Sequence, residues 1–388
     1  MQKLHRILVV DDEPDVEPLV LQRMRREIRR GEYEFLFAGN GVEALDKLGE
    51  DREIDIVLSD INMPEMDGLT LLQQIPAVDP NIRSVIVSAY GDMKNIRAAM
   101  NRGAFDFVTK PIDFNDLRIT IERTIKHLEL WREALASRDK LVSIQNELVL
   151  ANRMQQSILP DVFPSGEKFQ IYGSMEPARD VGGDFFDIIR LDHGRFGLAI
   201  ADVSDKGVPA ALFMMSSRTL LKGAAIGTAE PKKVLAEVNS LLDEDNEAGM
   251  FVTLIYAVFD SETGNISFAN GGHNPPMLIR SDGSTEFLQM PDGIALGMVD
   301  SFDFEDKHIR LAEGDVLVFY TDGVTEAMNS DNELYGTERL ARIFDDASPD
   351  GDVEAIINRI FESVHHFSSG ISQSDDITCL AIRYGRTP

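Results

Sequence analysis

Cysteine is almost absent from this 388-residue chain: a single one, Cys379, excludes an internal disulfide and a cysteine-based metal cage. Long apolar runs are missing too, and none approaches the ~20 residues needed to span a bilayer. Met1 to Arg6 contains no signal-peptide h-region. These absences lead us to expect a cytoplasmic protein with no membrane partner. Positive charge is scarce, with 38 Lys and Arg against 66 Asp and Glu and a formal charge of −28. Such a chain repels nucleic acid and anionic lipid, which argues against a DNA-binding output. Glycine and proline are both missing from Asp116 to Leu159, so nothing there interrupts a helix.

What is present falls into three parts. In the first, short apolar runs alternate with helical patterns: Ile7–Val10, Tyr33–Ala38, Ile54–Leu58, Ser84–Val87 and Phe105–Val108, with a helix running to about Arg30 after the first. Five such units predict a doubly wound parallel sheet, whose ligands bind beyond the carboxyl ends of the strands. Asp11, Asp12, Asp60, Ser88 and Lys110 all fall at that edge. Three clustered carboxylates repel one another and suit a hard cation such as Mg²⁺. A carboxylate can then take a phosphoryl group as an acyl phosphate, with a lysine and a hydroxyl to meet the phosphate oxygens.

The segments Val9-Val10-Asp11-Asp12-Glu13, Ser59-Asp60-Ile61-Asn62-Met63-Pro64-Glu65-Met66-Asp67-Gly68, Val87-Ser88-Ala89 and Thr109-Lys110-Pro111 resemble a CheY-like receiver domain over residues 5 to about 125. The resemblance implies a flavodoxin-like fold in which Asp60 accepts phosphate from a sensor histidine kinase. It implies Mg²⁺ held by Asp12, Asp60 and the Asn62 carbonyl, with Asp11 helping through water. Ser88 and Phe107 would be the switch hydroxyl and aromatic, Lys110 would pair with phosphate, and the bond to Pro111 would be cis.

In the middle part, Ile121, Leu128, Leu135, Val142 and Val149 are each seven residues apart, an a-type seam. The matching d-type positions, Thr124, Trp131, Arg138, Gln145, Asn152 and Leu159, are mixed. Leu141, Ile144 and Leu148 set a second phase. We expect a coiled-coil linker over 116–160 that dimerises the chain and carries a signal. A helix packed on its own domains is the competing reading.

After Pro160 strands come in groups joined by short turns such as Ser281-Asp282-Gly283, including Phe185–Leu191, Phe196–Val203, Phe302–Ile309, Val316–Thr321 and Ile377–Arg383. Helices are expected near Val208–Ala225, Pro231–Leu242 and Val353–Val364. The pattern predicts an α+β domain, mainly antiparallel, with helices covering the sheets. Asp184, Asp202, Asp322 and Asp376 each stand at a strand end or beside a glycine. Carboxylates converging from several strand ends suit Mg²⁺ or Mn²⁺. Two such ions ~3.5–4 Å apart can activate a water and clamp a phosphoryl group.

Five segments extend the reading: Asp180-Val181-Gly182-Gly183-Asp184-Phe185-Phe186-Asp187, Ala201-Asp202-Val203-Ser204-Asp205-Lys206-Gly207-Val208-Pro209-Ala210-Ala211-Leu212, Asn270-Gly271-Gly272-His273-Asn274-Pro275-Pro276, Thr321-Asp322-Gly323-Val324-Thr325-Glu326-Ala327 and Ser374-Asp375-Asp376-Ile377-Thr378. Together they resemble the protein phosphatase 2C-like (PPM) family in its SpoIIE/RsbU-type branch. The resemblance implies a β-sandwich flanked by helices and a metal-dependent serine/threonine phosphatase holding two Mn²⁺ or Mg²⁺. Asp202 would bridge both ions and Asp184 would bind one of them, the Val203 carbonyl would help, and Asp322 and Asp376 would complete the shell of the second. Asp205 replaces a glycine common in the branch and adds charge there. His273 invites a general-acid role against that of a turn histidine. Asp187 is either an acid supporting a ligand or a surface residue, and Cys379 is expected to be buried and inert. The domains expected are 1–122 (receiver), 116–160 (linker) and 161–388 (phosphatase).

The combined resemblance implies a response regulator whose substrate is a phosphorylated STAS-domain anti-sigma factor antagonist, in partner-switching control of a sigma factor. Two other functions compete: a non-catalytic adaptor that binds a sigma factor or anti-sigma partner, and an enzyme acting on a small phosphorylated molecule. Survival of all the acids speaks against the adaptor.

Overall fold

The computed structural model describes residues 4–89, 92–244, 246–344 and 352–385; the expected domain limits at 1 and 388 lie outside them. The chain divides into two compact units, residues 1–143 and 144–388. Among the described residues no helix is long and apolar enough to cross a membrane.

The first unit runs β1 (His5–Val10), α1 (Val16–Arg23), α2 (Arg25–Arg29), β2 (Tyr33–Ala38), α3 (Gly41–Glu50), β3 (Ile54–Asp60), α4 (Gly68–Val78), β4 (Arg83–Ala89), α5 (Met93–Asn101), β5 (Asp106–Lys110) and α6 (Phe114–Ile158). Its strands are parallel in the order β2-β1-β3-β4-β5, with Val10 beside Ser59 and Asp60 beside Val87. The strands are apolar on both faces because helices cover both. Ile7, Val9, Ile56, Leu58 and Val85 meet Leu117, Ile121 and Ile125 of α6 on one face. Leu8, Val10 and Val57 meet Ala44, Leu48, Leu71 and Ile75 on the other. The helix expected to run to Arg30 is broken at Met24, a fully buried residue with φ −98° and ψ 12°.

The long helix corrects the seam. Ile121 and Leu128 are 0% exposed, and Ile121 packs in the receiver core, so the first part of the heptad pattern is not an open seam. Leu135, Val142 and Val149 are 37%, 47% and 47% exposed and keep an open stripe. Arg132 fastens α6 to the foot of β3, its guanidinium donating to Asp55 at 2.7 Å.

The second unit runs β6 (Ser165–Gly166), β7 (Phe169–Glu176), β8 (Phe185–Arg190), β9 (Arg195–Val203), α7 (Val208–Gly227), α8 (Pro231–Asp243), β10 (Val252–Asp260), β11 (Asn265–Gly271), β12 (Met277–Ile279), β13 (Thr285–Phe287), β14 (Lys307–Arg310), β15 (Val316–Tyr320), α9 (Asp322–Thr325), α10 (Gly336–Arg342), α11 (Val353–Phe367) and β16 (Ile377–Tyr384). Two antiparallel sheets form, β14-β11-β10-β9-β8 and β13-β12-β15-β16-β7-β6. Strand alternation sorts the residues by layer. Leu317, Phe319, Leu380 and Ile382 join Leu198, Ile200 and Phe259 between the sheets. Val316, Val318, Cys379 and Ala381 turn to Ile356, Ile357 and Ile360 of α11. Cys379 is buried there, and burial pushes its thiol pKa up.

The strand expected at Phe302–Ile309 is pared back to β14. Phe302 and Phe304 alternate as in a strand, but they stack edge-to-face on each other and pack toward the core, and pairing with β11 begins only at Lys307. The short helices α9 and α10 carry too few apolar repeats to announce themselves in sequence.

Candidate active sites

In the receiver unit, β1 and β3 end side by side, which brings Asp11, Asp12 and Asp60 together with ligand oxygens all within 4.8 Å of one another. Lys110 Nζ, at the end of β5, lies 2.7 Å from Asp60 Oδ2, 2.9 Å from Asp11 Oδ2 and 3.0 Å from Glu13 Oε1. Burial raises the Asp11 pKa against the lowering effect of Lys110. Lys110 itself is shifted upward by its carboxylate partners. The Ser88 hydroxyl is buried and has no hydrogen-bond partner among the described residues. A carboxylate trio met by one lysine suits a cation and a phosphoryl group, so these residues fit Mg²⁺. Asn62 is exposed in the loop after Asp60, and Phe107 is 37% exposed. The Lys110–Pro111 bond is cis. Gly68 is required: a Cβ there would sit 2.0 Å from the Asp60 carbonyl oxygen. Glu13 as a partner of Lys110 was not foreseen, since only the fold brings positions 13 and 110 together.

In the second unit the acids converge from four places. Asp184, just before β8, is almost fully buried and its Oδ2 accepts hydroxyls from Thr321 (2.7 Å) and Thr378 (2.6 Å). Asp202, near the end of β9, hydrogen-bonds with the Asp184 carboxyl, and its pKa is raised to about 7 by burial, then by Asp322 and Asp375. Asp322, opening α9, is raised to about 6 by burial and then by Asp375 and Glu326. Asp184 is pushed well upward by burial, with Asp202 and Asp376 adding to it. The Val203 carbonyl lies 3.1 Å from where a Gly183 side chain would begin, beside Asp184. Carboxylates drawn together and repelling one another in this way suit a divalent cation by their chemistry. Their oxygens are less tightly drawn than the receiver trio: among the described residues, no three of these acids come within the same 4.8 Å span.

Asp376 is tied to the backbone of the turn that carries Asp184. Its Oδ1 accepts the Ala178 N–H at 2.8 Å, and its Oδ2 accepts the N–H groups of Gly183 (2.6 Å) and Asp184 (3.3 Å). Its neighbour Asp375 acts on Asp202 and Asp322 and is met by Lys206 Nζ at 2.8 Å. Sequence reasoning passed over Asp375, although the paired acids were in view. Asp205 has φ 69°, the left-handed region where glycine is least strained and aspartate is tolerated.

His273 is buried. Its Nδ1 is 2.7 Å from the Thr253 hydroxyl and its Nε2 is 3.1 Å from the Tyr320 carbonyl oxygen, so Nε2 carries the proton. Burial lowers its pKa to about 4, and it is neutral near pH 7. Asp187 is not a surface residue: it is buried, 3.0 Å from Arg218 of α7.

One loop collects much of this geometry. Gln155, near the end of α6, is 2% exposed; its Nε2 donates to the Gly182 carbonyl (2.6 Å) and its Oε1 accepts the Gly182 N–H (3.0 Å). Asn152 Nδ2, one turn earlier, donates to the Asp180 carbonyl at 2.5 Å.

Two family models match the chain. The response regulator receiver domain matches residues 7–122, and Stage II sporulation protein E (SpoIIE) matches 192–385, half of the chain. The latter range contains Asp202, Asp322, Asp375 and Asp376 and begins after Asp184. Protein IcfG of Synechocystis sp. is 32% identical over 264 residues, 61% of this chain and 41% of IcfG. Phosphoserine phosphatase RsbU of Bacillus subtilis is 26% identical over 270 residues, 70% of this chain and 79% of RsbU. The chain thus spans about two fifths of one relative and most of the other. The SiaA-PP2C domain of Pseudomonas aeruginosa superposes with a TM-score of 0.54 at 24% identity, covering 63% of this chain and 98% of that one, which shows a shared fold.

Proposed function

This chain belongs to the SpoIIE family and carries a response regulator receiver domain at residues 7–122, and from that premise we propose a response regulator whose output is metal-dependent dephosphorylation of a phosphoserine or phosphothreonine protein. The observation that carries the reading is the convergence of buried Asp184 with half-buried Asp202 and Asp322. Three separate strand ends force these carboxylates together at the cost of raised pKa values. Such an arrangement is sustained by divalent cations and has no use in an apolar core.

Asp184, Asp202, the Val203 carbonyl, Asp322 and Asp375 would hold the cations, with Asp375 in the place expected of Asp376. Two bound Mn²⁺ or Mg²⁺ would supply Lewis acidity to a water and to the phosphoryl oxygens. Thr321 and Thr378 hold one oxygen of Asp184 and leave the other to face Asp202. Lys206 holds Asp375 and offsets the negative field at the mouth. His273, neutral and bonded at both nitrogens, orients Thr253 and the end of β15 and does not deliver a proton.

Upstream, Asp60 would accept phosphate from a sensor histidine kinase, with Asp11, Asp12 and the Asn62 carbonyl around Mg²⁺. Lys110 and Ser88 would meet the phosphate oxygens. The RsbU relative, named a phosphoserine phosphatase, supports a phosphoserine substrate; our proposal for it is a phosphorylated STAS-domain anti-sigma factor antagonist in partner switching, within the cytoplasm. The open stripe Leu135, Val142 and Val149 supports a homodimer through the linker at 116–160.

The test is release of phosphate from a phosphoserine STAS protein with Mn²⁺, with and without EDTA. Wild type is expected to turn over and Asp202→Asn to be inactive while folded. Undiminished turnover by Asp202→Asn overturns the assignment of the site, and no turnover by wild type overturns the reading and leaves the adaptor.

A further inference from the structure

The heptad reading left Asn152 as an unexplained polar position and gave Gln155 no role. The structure assigns Gln155 as the positioning residue for Asp184, so that the last turns of α6 set the affinity of the cation site. This inference rests on the phosphatase reading of that site and adds its means of control.

The geometry is specific. A buried amide usually finds separate partners for its two ends. Gln155 instead spends both on one peptide unit's neighbours, holding the N–H and the C=O of Gly182. Gly182 is two residues from Asp184, and its other side is closed: a Cβ there would lie 2.4 Å from Asp376 Oδ2 and 2.5 Å from Met175 Cε. The Gly182-Gly183-Asp184 turn is therefore gripped between α6 and Asp376. Asp376 takes the N–H groups of Gly183 and Asp184, and Gln155 takes Gly182. Glycines have no side chain to hold such a turn in place, so its position comes from these outside bonds.

The helix reads this segment along one face. Asn152 bonds Asp180, Gln155 bonds Gly182, and Gln156 Nε2 lies 3.7 Å from Met175 Sδ. Asn152 and Gln155 are three apart, one turn of helix, so a single rotation or slide of α6 releases both. Leu159 follows them into the core of the same unit. At its other end α6 is part of the receiver core through Leu117, Ile121 and Ile125, without a break between. A change in α6 thus reaches Asp184 through two hydrogen bonds. Partners that orient a metal ligand without touching the metal commonly govern affinity by about ten- to a hundredfold.

The experiment measures Mn²⁺ binding to the full chain by calorimetry, apart from any assay of activity. Gln155→Ala and Gln155→Leu are expected to weaken Mn²⁺ binding at the phosphatase site by about tenfold or more. To isolate that site, every protein carries Asp60→Ala, which removes the receiver's cation site. Gln155→Glu keeps the acceptor for the Gly182 N–H and is expected to fall between these and the parent. In an Asp184→Asn background, Gln155→Ala is expected to add no further weakening, because both changes act through one carboxylate. A merely structural role would lower the melting temperature of the metal-free protein and leave the Mn²⁺ constant unchanged. Parental Mn²⁺ affinity in folded Gln155→Ala, or a full additional loss in the Asp184→Asn background, overturns the inference. A parent that binds no Mn²⁺ overturns the phosphatase reading itself, and this assignment with it.

Discussion

Asp376 accepts the Gly183 backbone N–H at 2.6 Å, which ties the start of the last strand to the turn that presents Asp184. An acid so bonded acts as a backbone clamp, and the proposed cation ligand is its neighbour Asp375. The two acids should therefore fail differently. Asp376→Ala strands the N–H groups of Ala178, Gly183 and Asp184 and is expected to cost about 3 kcal/mol of stability in denaturant unfolding without metal. Asp375→Asn is expected to unfold within about 1 kcal/mol of wild type and to lose most Mn²⁺-dependent turnover. The reverse pattern would return the ligand role to Asp376.

His273 gives a pH signature of stability. Burial lowers its folded pKa to about 4, from the ordinary histidine value of 6.5. The unfolded chain then binds a proton that the folded chain refuses. This contribution is fully present above about pH 6.5 and is lost as pH falls toward 4. Between pH 7.5 and 5.0 wild type should lose about 2 kcal/mol more than His273→Gln. Parallel pH profiles for the two proteins would show that His273 is not held neutral.

The receiver site predicts its own uncoupling. Lys110 bridges Asp60 and Asp11 at 2.7 and 2.9 Å, and the Ser88 hydroxyl is spare. Treatment with an acyl-phosphate donor is expected to change the wild-type phosphatase rate several-fold, in a direction the assay will fix, and to leave Asp60→Ala unchanged. Equal rates for treated and untreated wild type would remove the regulatory link and spare the phosphatase.

The open stripe on α6 predicts self-association. Val142→Glu places a charge on a 47% exposed apolar position and should shift light-scattering mass toward the monomer without lowering the melting temperature. A wild type that stays monomeric at all concentrations, with and without the acyl-phosphate donor, would discard the dimer.

Much of this was readable because the signals are local. Asp11, Asp12 and Asp60 stand at ends of apolar runs, and Asp202 and Asp322 do the same in the second unit. The heptad spacing of Ile121, Leu128, Leu135, Val142 and Val149 was equally visible, but spacing does not name a partner. A sheet accepts the same apolar stripe as a second helix, and here Ile121 packs in the receiver core and Leu128 is buried as well. Asp187 looked neutral between surface and support because nothing local reveals Arg218 across the helix–sheet layer.

By itself the sequence determined the alternation of strands, the order of acids at their ends and an unbroken helix between two folds, because each is written in residues a few positions apart. The tertiary structure alone decided that Asp376 takes the backbone N–H groups of Gly183 and Asp184, that burial keeps His273 neutral, and that Gln155 grips Gly182. Those outcomes depend on through-space distance and on water excluded by distant segments, and a carboxylate or an amide carries no local mark of what will be packed against it.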